Sequence, residues 1–358
     1  MYKKLSVLVL IASILSASKL GAQGKYLETI KVTDSIYVFK PEIDWVHGNG
    51  TAIIGKDGVF FIDTYLQTNY AEEAIRLLKR VTKLPVKFVL NTHFHNDHVI
   101  GNYVFKKAFP GCQIIAQDST YLYMMGKIKI DIANEMKDND GSIAQVAQEL
   151  KDGKTTRGVV LTGNMKAFWE WQLREGKEYK ESYKGNQFVN ADITFSDSLT
   201  FHWGSQTIQL IHMADNGHSP GDVVAWIPGK RILVAGDIVV GPTPYATHDN
   251  IPGMVKAIQK VIDMKPSVII PGHGAVEYDM AYVKLVKEAF DGYIDLAGKD
   301  IANKIPVKDA IKNAELPDID KQFIADDDVK KWAYESFFSH FVIYYTYKAK
   351  GALPPKKS

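Results

Sequence analysis

The period of the apolar positions changes along the chain, and each change marks a change of element. From Ile30 to Thr64, short runs alternate apolar with polar residues. Turn clusters at Gly48-Asn49-Gly50 and Lys56-Asp57-Gly58 break them, which predicts strands joined by tight turns. Between Tyr70 and Val81 the period becomes helical, with Ala71, Ala74, Ile75, Leu77 and Leu78 on the face expected to be buried. Val86–Leu90 reads as a strand, a helix follows through Asn102 and Phe105, and a strand is expected at Gln113–Ala116. From about Ser119 to Gly185 the sequence is rich in Lys, Glu, Gln, Met and aromatics at helical spacing, the signature of a helical insertion. Alternation returns at Ile193-Thr194-Phe195 and Leu199–Trp203, with further strands predicted at Thr207–His212, Val223–Ile227, Ile232–Ala235 and Val268–Ile270. From Asp279 the chain is helical again and ends in an aromatic-rich helix, Trp332–Tyr347. That helix carries aromatics nearly all round, which predicts burial against a sheet or across a homodimer interface.

Composition adds a boundary at the start. The 358 residues are 46% hydrophobic and 23% charged, the make-up of a folded globular protein with a sizeable core. Lys3 and Lys4, the apolar run Leu5–Leu15 and the small-residue ending Gly21-Ala22-Gln23 stand apart from that core. They form the pattern of a secretory signal peptide at 1–22, cleaved after Ala22. An uncleaved anchor is the competing reading, but the run falls short of the roughly 20 residues a membrane span needs. The expectation is a periplasmic or secreted protein with no membrane association after cleavage, its body a single domain at 23–358. Without the three lysines of the leader, the formal charge moves from +2 to −1. A near-neutral surface gives no electrostatic case for nucleic acid as a partner. The single cysteine, Cys112, excludes an intrachain disulfide, so the fold rests on its core and on any metal. At the start of a predicted strand, Cys112 reads as a buried inert thiol rather than a nucleophile.

The chemistry-bearing residues cluster at strand ends. His93-x-His95-x-Asp97-His98 follows the strand Val86–Leu90 directly, so alternate side chains of one turn can converge on one point. Neutral imidazoles and a carboxylate are the ligands zinc prefers. Asp215-Asn216-Gly217-His218-Ser219-Pro220-Gly221-Asp222 follows the strand ending at His212, Gly236-Asp237 follows Ile232–Ala235, and Pro271-Gly272-His273-Gly274 follows Val268–Ile270. Each candidate ligand therefore lies beside a strand end, and the last three lie beside a glycine that lets the backbone turn sharply. One such segment alone is usually only a turn; the ordered set points to a metal centre.

Taken in order, these motifs resemble the metallo-β-lactamase superfamily, and Ile62-Asp63-Thr64 resembles its strand-end aspartate that supports the site. The resemblance covers roughly residues 30–118 and 190–275. It implies an αββα sandwich, interrupted by the helical insertion at about 119–185 and followed by a C-terminal helical extension at about 276–358. It also implies two Zn2+ ions per chain. His93, His95 and His218 would hold one, and Asp97, His98 and His273 the other, with Asp237 bridging. Asp97 would be the catalytic residue, orienting a hydroxide shared by the metals. The aspartate at 237 looks more like the lactonase, thioesterase and phosphodiesterase branches than the cysteine-ligated β-lactamases. His95 argues against the oxygen-reducing di-iron branch. The leader and His98-Val99-Ile100-Gly101-Asn102 lean towards secreted bacterial β-lactamase-like hydrolases. The implied function is hydrolysis of an amide or cyclic amide (β-lactam-like) bond in a small-molecule substrate, with lactone or thioester hydrolysis as the alternative. A non-catalytic metal-binding protein of the same fold is the rival class, disfavoured because all seven positions are filled.

Other residues carry weaker signals. His202 and His212 lie on predicted strands and read as structural histidines. His248 follows Asp237 by a short loop, either solvated or able to donate to a substrate carbonyl. Trp45-Val46-His47 reads either as an aromatic hairpin cap or as a turn reaching over the metals. Phe168-Trp169-Glu170-Trp171 reads as a wall of the substrate cleft or as packing between the insertion and the body.

Overall fold

A computed structural model describes residues 24–43, 46–214 and 217–353. The expected leader at 1–22 and Trp45 lie outside the described residues. Seven strands form the first sheet in chain order: β1 (Leu27–Thr33), β2 (Ile36–Pro41), β3 (Gly50–Ile54), β4 (Val59–Ile62), β5 (Val86–Leu90), β6 (Gln113–Gln117) and β7 (Ile193–Phe195). Neighbours are antiparallel from β1 to β4 and parallel from β4 to β7. The second sheet has the order β12-β11-β10-β9-β8, built from β8 (Ser198–Trp203), β9 (Gln206–His212), β10 (Val223–Ile227), β11 (Ile232–Val240) and β12 (Val268–His273). Only its β11–β12 pair is parallel.

The two-residue period explains how short strands can be buried on both faces. In β4, Phe60 and Ile62 point between the sheets, towards Ile208, Leu210, Val223 and Val234 of the second sheet. Val59 and Phe61 point the other way, into a helical layer. That layer is built from α1 (Thr68–Val81) and α3 (Asn102–Ala108), with the short α2 (Asn96–Val99) just before α3. The predicted face of α1 is the buried one: Ala71, Ala74, Ile75, Leu77 and Leu78 are all covered. In β11, Ile232 and Val234 face the first sheet, while Leu233 and Ala235 face the opposite helical layer. Each large apolar side chain buried this way contributes about 1.5–3 kcal/mol, so the alternation fixes the register. The result is the expected αββα sandwich.

The insertion is helical, as its composition predicts: α4 (Asp118–Tyr123), a π-helical turn at Met124–Ile128, α5 (Lys129–Asp152) and α6 (Gly163–Ser182). After β11 come α7 (Ile251–Asp263) and then, beyond β12, α8 (Ala281–Ala302), α9 (Val307–Lys312), α10 (Pro317–Ile324), α11 (Asp328–Tyr334) and α12 (His340–Ala349). The aromatic helix expected at Trp332–Tyr347 spans α11 and α12, joined through a π turn at Glu335–Ser339. Tyr334, Phe338, Val342, Ile343 and Tyr347 are buried with Phe290 and Tyr293 of α8, in the helical layer over the second sheet. Two strand ends at the site differ from the sequence reading. β12 does not stop at Ile270 but continues through Pro271-Gly272 to His273. β11 does not stop at Ala235 but runs through Gly236-Asp237 to Val240. Gly236 takes a left-handed φ of 50° where the β11–β12 register shifts, so a bulge carries the strand onwards into buried Ile238 and Val239.

Candidate metal centre

Strand directions bring the candidate ligands to one edge. β4 and β5 are parallel, as are β11 and β12, and β9 runs in the sense of β11 because each is antiparallel to β10. Asp63 follows β4, the His93–His98 turn follows β5, His218 follows β9, Asp237 lies late in β11 and His273 ends β12. All seven expected ligands converge there. Those within ligand reach of one another fall into two groups, His93, His95, His218 and Asp237 in one, and Asp97, His98 and His273 in the other.

In the first group, His95 Nδ1 lies 2.9 Å from His93 Nε2 and 2.8 Å from His218 Nε2. Asp237 Oδ2 approaches His218 Nε2 at 3.4 Å and His93 Nε2 at 3.7 Å. In the second group, Asp97 Oδ2 is 3.0 Å from His273 Nε2 and 3.2 Å from His98 Nε2. Asp237 also reaches this side, its Oδ1 being 3.4 Å from His98 Nε2 and its Oδ2 3.5 Å from His273 Nε2. It stands between the groups, as a bridging residue must.

The donor set fits divalent cations. Thr92 Oγ1 donates to Asp63 Oδ2 at 2.8 Å, so towards His93 Nδ1, 3.1 Å away, it acts as acceptor. His93 then carries its proton on Nδ1 and turns a lone pair inward on Nε2. His98 Nδ1 donates to Asp63 Oδ2 at 2.8 Å, which likewise directs its Nε2 inward. Asp237 Oδ1 is buried without a hydrogen-bond partner. Ring nitrogens converging at under 3 Å beside a buried carboxylate oxygen that lacks a partner are the donor set a divalent cation takes.

The two groups differ electrostatically. Burial holds His93 and His218 well below the usual histidine range and lowers His95 to about 4. Burial also opposes charge on His98 and His273, but Asp97 and Asp237 outweigh it, raising His98 strongly and His273 to about 9. Burial disfavours the ionised Asp97 and Asp237 too; their histidine neighbours, His98 foremost, reverse this and hold both well below the carboxylate range.

A supporting layer surrounds the ligands. Asp63, in a left-handed conformation at φ 60°, accepts from Thr92 N at 2.8 Å as well as from His98. The sequence reading anticipated this aspartate but missed two other supports. Asp222 accepts from His218 N at 2.7 Å, Ser219 N at 2.8 Å and Ser219 Oγ at 2.6 Å, which fixes the His218 loop. Asn91 and Asn102 exchange side-chain hydrogen bonds, and Asn91 Nδ2 donates to the His98 carbonyl at 3.0 Å. The Ser219-x-x-Asp222 spacing was a readable signal; the Asn91–Asn102 pair left none.

The centre opens into a cleft of about 880 Å³. Phe94, Phe168, Tyr245, Trp332 and Phe337 supply apolar wall, and Asp97, His218, Asp237, His248 and His273 reach it from the centre side. No lysine or arginine among the described residues lines it. His248 stacks on His95 with ring centres 5.1 Å apart. Val46 lines the cleft, whereas His47 is buried behind it. Of the Phe168-Trp169-Glu170-Trp171 stripe, Phe168 alone lines this cleft, with Tyr179 further along α6; Trp171 stacks behind Phe168 at 5.6 Å and Trp169 donates to Glu149 at 2.7 Å. The expected wall thus reduces to Phe168, and both tryptophans serve packing, because their rings are covered by the insertion and the last helices. His212 is a satisfied structural histidine bonded to Pro220 O at 3.1 Å. Cys112 is buried, and burial raises its thiol to about 12, which makes it inert at neutral pH.

Known proteins bear on this arrangement. The curated linear primary-alkylsulfatase of Pseudomonas sp. is 21% identical over 226 residues, which are 61% of this chain and 40% of that protein. The solved stereoselective inverting sec-alkylsulfatase of Pseudomonas sp. aligns over 90% of this chain and 50% of its own, with TM-score 0.63 and 16% identity. A metallo-beta-lactamase family protein of Thermus thermophilus aligns over 90% of this chain and 96% of its own, with TM-score 0.55 and 13% identity. The chain therefore spans 40% of the length of the curated relative, and at these identities the structural likeness is one of fold. The family model described as the metallo-beta-lactamase superfamily matches residues 43–273, which include every ligand candidate and most of the chain, so this protein belongs to the metallo-beta-lactamase superfamily.

Proposed function

We propose that the protein is a zinc-dependent hydrolase with two metals per chain, cleaving an amide or cyclic amide bond of a small molecule with an apolar body. The observation that supports this is the pair of ligand groups sharing Asp237 at the foot of an open aromatic cleft. His93, His95 and His218 would hold one ion, Asp97, His98 and His273 the other, and Asp237 both. Bound there, the cations supply a water acidic enough to attack at neutral pH and polarise the scissile carbonyl. Asp97 is partly exposed to the cleft, unlike the buried His98 beside it. It orients the attacking water, accepts its proton and returns that proton to the leaving nitrogen. Asp63 and Asp222 keep His98 and His218 in place during turnover. The aromatic wall excludes bulk water and takes the apolar part of the substrate.

That no lysine or arginine among the described residues lines the cleft favours an uncharged carbonyl centre over an anionic one, and lactones and thioesters share that property. A sulfate ester is the second reading, favoured by the alkylsulfatase likeness. With its leader, the enzyme acts in the periplasm or outside the cell. The test is elemental analysis followed by hydrolysis of a panel of β-lactam, linear amide, lactone, thioester and alkyl sulfate. Close to two zinc ions per chain and turnover of the cyclic amide are expected, both lost to a chelator. One ion or fewer would sink the dinuclear reading, and turnover of the alkyl sulfate alone would replace the amide reading.

A further inference from the structure

The insertion and the metal centre meet at one buried polar cluster. Glu175, on α6, is buried, and its Oε2 accepts from Gln67 Nε2 at 3.0 Å and from Tyr70 OH at 3.3 Å. His47 Nε2 lies 3.4 Å from the same oxygen, and the His47 ring is almost fully covered. That ring packs at a 31° tilt against Tyr70, with centres 4.2 Å apart, and meets Trp171 edge-on. An ionisable pair this deep calls for a reason.

The two residues after His47 supply one. Gly48 presses on a ligand: a Cβ there would lie 2.9 Å from His98 Cε1, so only glycine lets the backbone come this close. Asn49 clasps the strand end that carries another ligand. Its backbone N–H donates to Gly272 O at 2.6 Å, and its side chain donates to Pro271 O and Gly274 O, both at 3.0 Å. Three successive residues thus link the insertion helix, the His98 ring and both flanks of His273.

We propose that His47 and Glu175 are positioning residues for the Asp97–His98–His273 half of the centre. Glu175 holds His47, His47 fixes the turn, and Gly48 and Asn49 hold the His98 ring and the His273 strand end at the spacing that half needs. The insertion is then part of the metal centre's support and not only a wall of the cleft. Among the described residues the hydrogen bonds of Asn49 run to the His273 strand end and none runs to His93, His95 or His218, so the effect should fall first on the Asp97–His98–His273 half.

This inference rests on the dinuclear reading, and the experiment separates the two. Purified protein carrying Glu175→Ala, Glu175→Gln or His47→Phe is titrated with zinc against a chromophoric chelator, and each equivalent's affinity is compared with wild type. Glu175→Ala should weaken one equivalent by about 10–100-fold, the range for losing an outer support of a metal ligand, and leave the other unchanged. Glu175→Gln keeps an acceptor oxygen for the same donors and should restore most of that affinity. His47→Phe keeps the ring on Tyr70 but cuts the link to Glu175, so it should weaken the same equivalent, and it carries the test if Glu175→Ala does not fold. Wild type binding fewer than two equivalents would overturn the dinuclear reading itself. Wild type binding two, with the variants either indistinguishable from it or weakened equally at both equivalents, would overturn the coupling alone.

Discussion

The two halves of the centre are built from different materials. The His93–His95–His218 half is three imidazoles, His93 and His218 buried and His95 half-buried, whose inward nitrogens meet at 2.8–2.9 Å, and Asp237 comes no nearer than 3.4 Å to the two it pairs with, His93 and His218. The Asp97–His98–His273 half is an ion-paired network, with Asp97 3.0–3.2 Å from both rings. Without metal, Asp97 and Asp237 favour extra protons on the histidines of the second half, whereas burial opposes them on those of the first. The difference teaches that a metal ion bound there would complete the first half but would compete with protons for the second. The first half should therefore be the tighter site and the second the labile one.

Removing the second half's carboxylate should have the largest effect. In Asp97→Ala the proton acceptor facing the cleft and one ligand are lost together, so kcat/KM should fall by several orders of magnitude. The fold should survive, because Asp97 is partly exposed and belongs to a four-residue helix, α2, not to the sandwich core. Circular dichroism together with steady-state kinetics checks this. Near-normal turnover would show that the proton is taken elsewhere and that the two halves are not divided as described.

A change at the shared residue sharpens the comparison. Asp237 reaches His93 and His218 on one side and His98 and His273 on the other. A carboxylate can offer one oxygen to each ion, whereas a thiolate satisfies one strongly. Asp237→Cys should therefore loosen the second ion by at least about tenfold, ahead of the first, with activity falling in step. A chelator titration scored by metal content reads this directly. If the variant keeps both ions as tightly as wild type and turns over equally well, Asp237 is not a bridge.

Acidity should act on the halves in opposite directions once metal is removed. Burial lowers His95 to about 4 from an ordinary 6.5, so between those values the unfolded chain binds a proton that the native protein refuses. Stability from His95 is intact above 6.5 and is lost as pH falls towards 4. His273 is raised to about 9 because Asp237 and Asp97 outweigh its burial. Its contribution is complete below 6.5 and is lost as pH rises towards 9. Urea unfolding of metal-free protein should find these two contributions jointly best near pH 6.5. His95→Asn should flatten the acid limb and His273→Asn the alkaline limb. If either replacement alters the wrong limb, the electrostatic division between the halves fails.

The ligands were legible because strand, glycine and ligand are neighbours in sequence, so local patterning places them at strand ends. The sheet order then gathers those ends without any further information. The αββα layers were legible for the same reason: β4 and β11 carry apolar residues in both directions, and a period of two assigns them to two cores. What the sequence concealed depends on contacts between distant segments. His47 and Glu175 are separated by more than a hundred residues, and neither lies in a periodic pattern that marks it as buried. The β11 boundary was missed because Gly236-Asp237 reads as a turn, whereas parallel pairing with β12 holds the bulged strand together.

The smallest expected effect on catalysis tests where the cleft stops and the packing of the insertion begins. Phe168 and Trp169 are adjacent on α6, yet Phe168 lines the metal cleft and Trp169 does not. Trp169 instead lines a smaller hollow of about 410 Å³, donates from Nε1 to Glu149 at 2.7 Å and packs against Trp332 with ring centres 5.3 Å apart. Glu149 is itself buried and also accepts from Thr156 N at 2.8 Å and Gln145 Nε2 at 3.1 Å. Trp169→Phe keeps most of the ring but removes one of three donors from a buried carboxylate, which should cost about 1–3 kcal/mol of stability. KM should stay within about twofold of wild type, because no atom of Trp169 borders the cleft where substrate binds. Phe168→Ala is the matched contrast and should raise KM, since it strips apolar wall from that cleft. Thermal melts and initial rates on the same two variants decide the matter. A raised KM with unchanged melting in Trp169→Phe would return the tryptophan to the substrate wall and extend the cleft into the insertion.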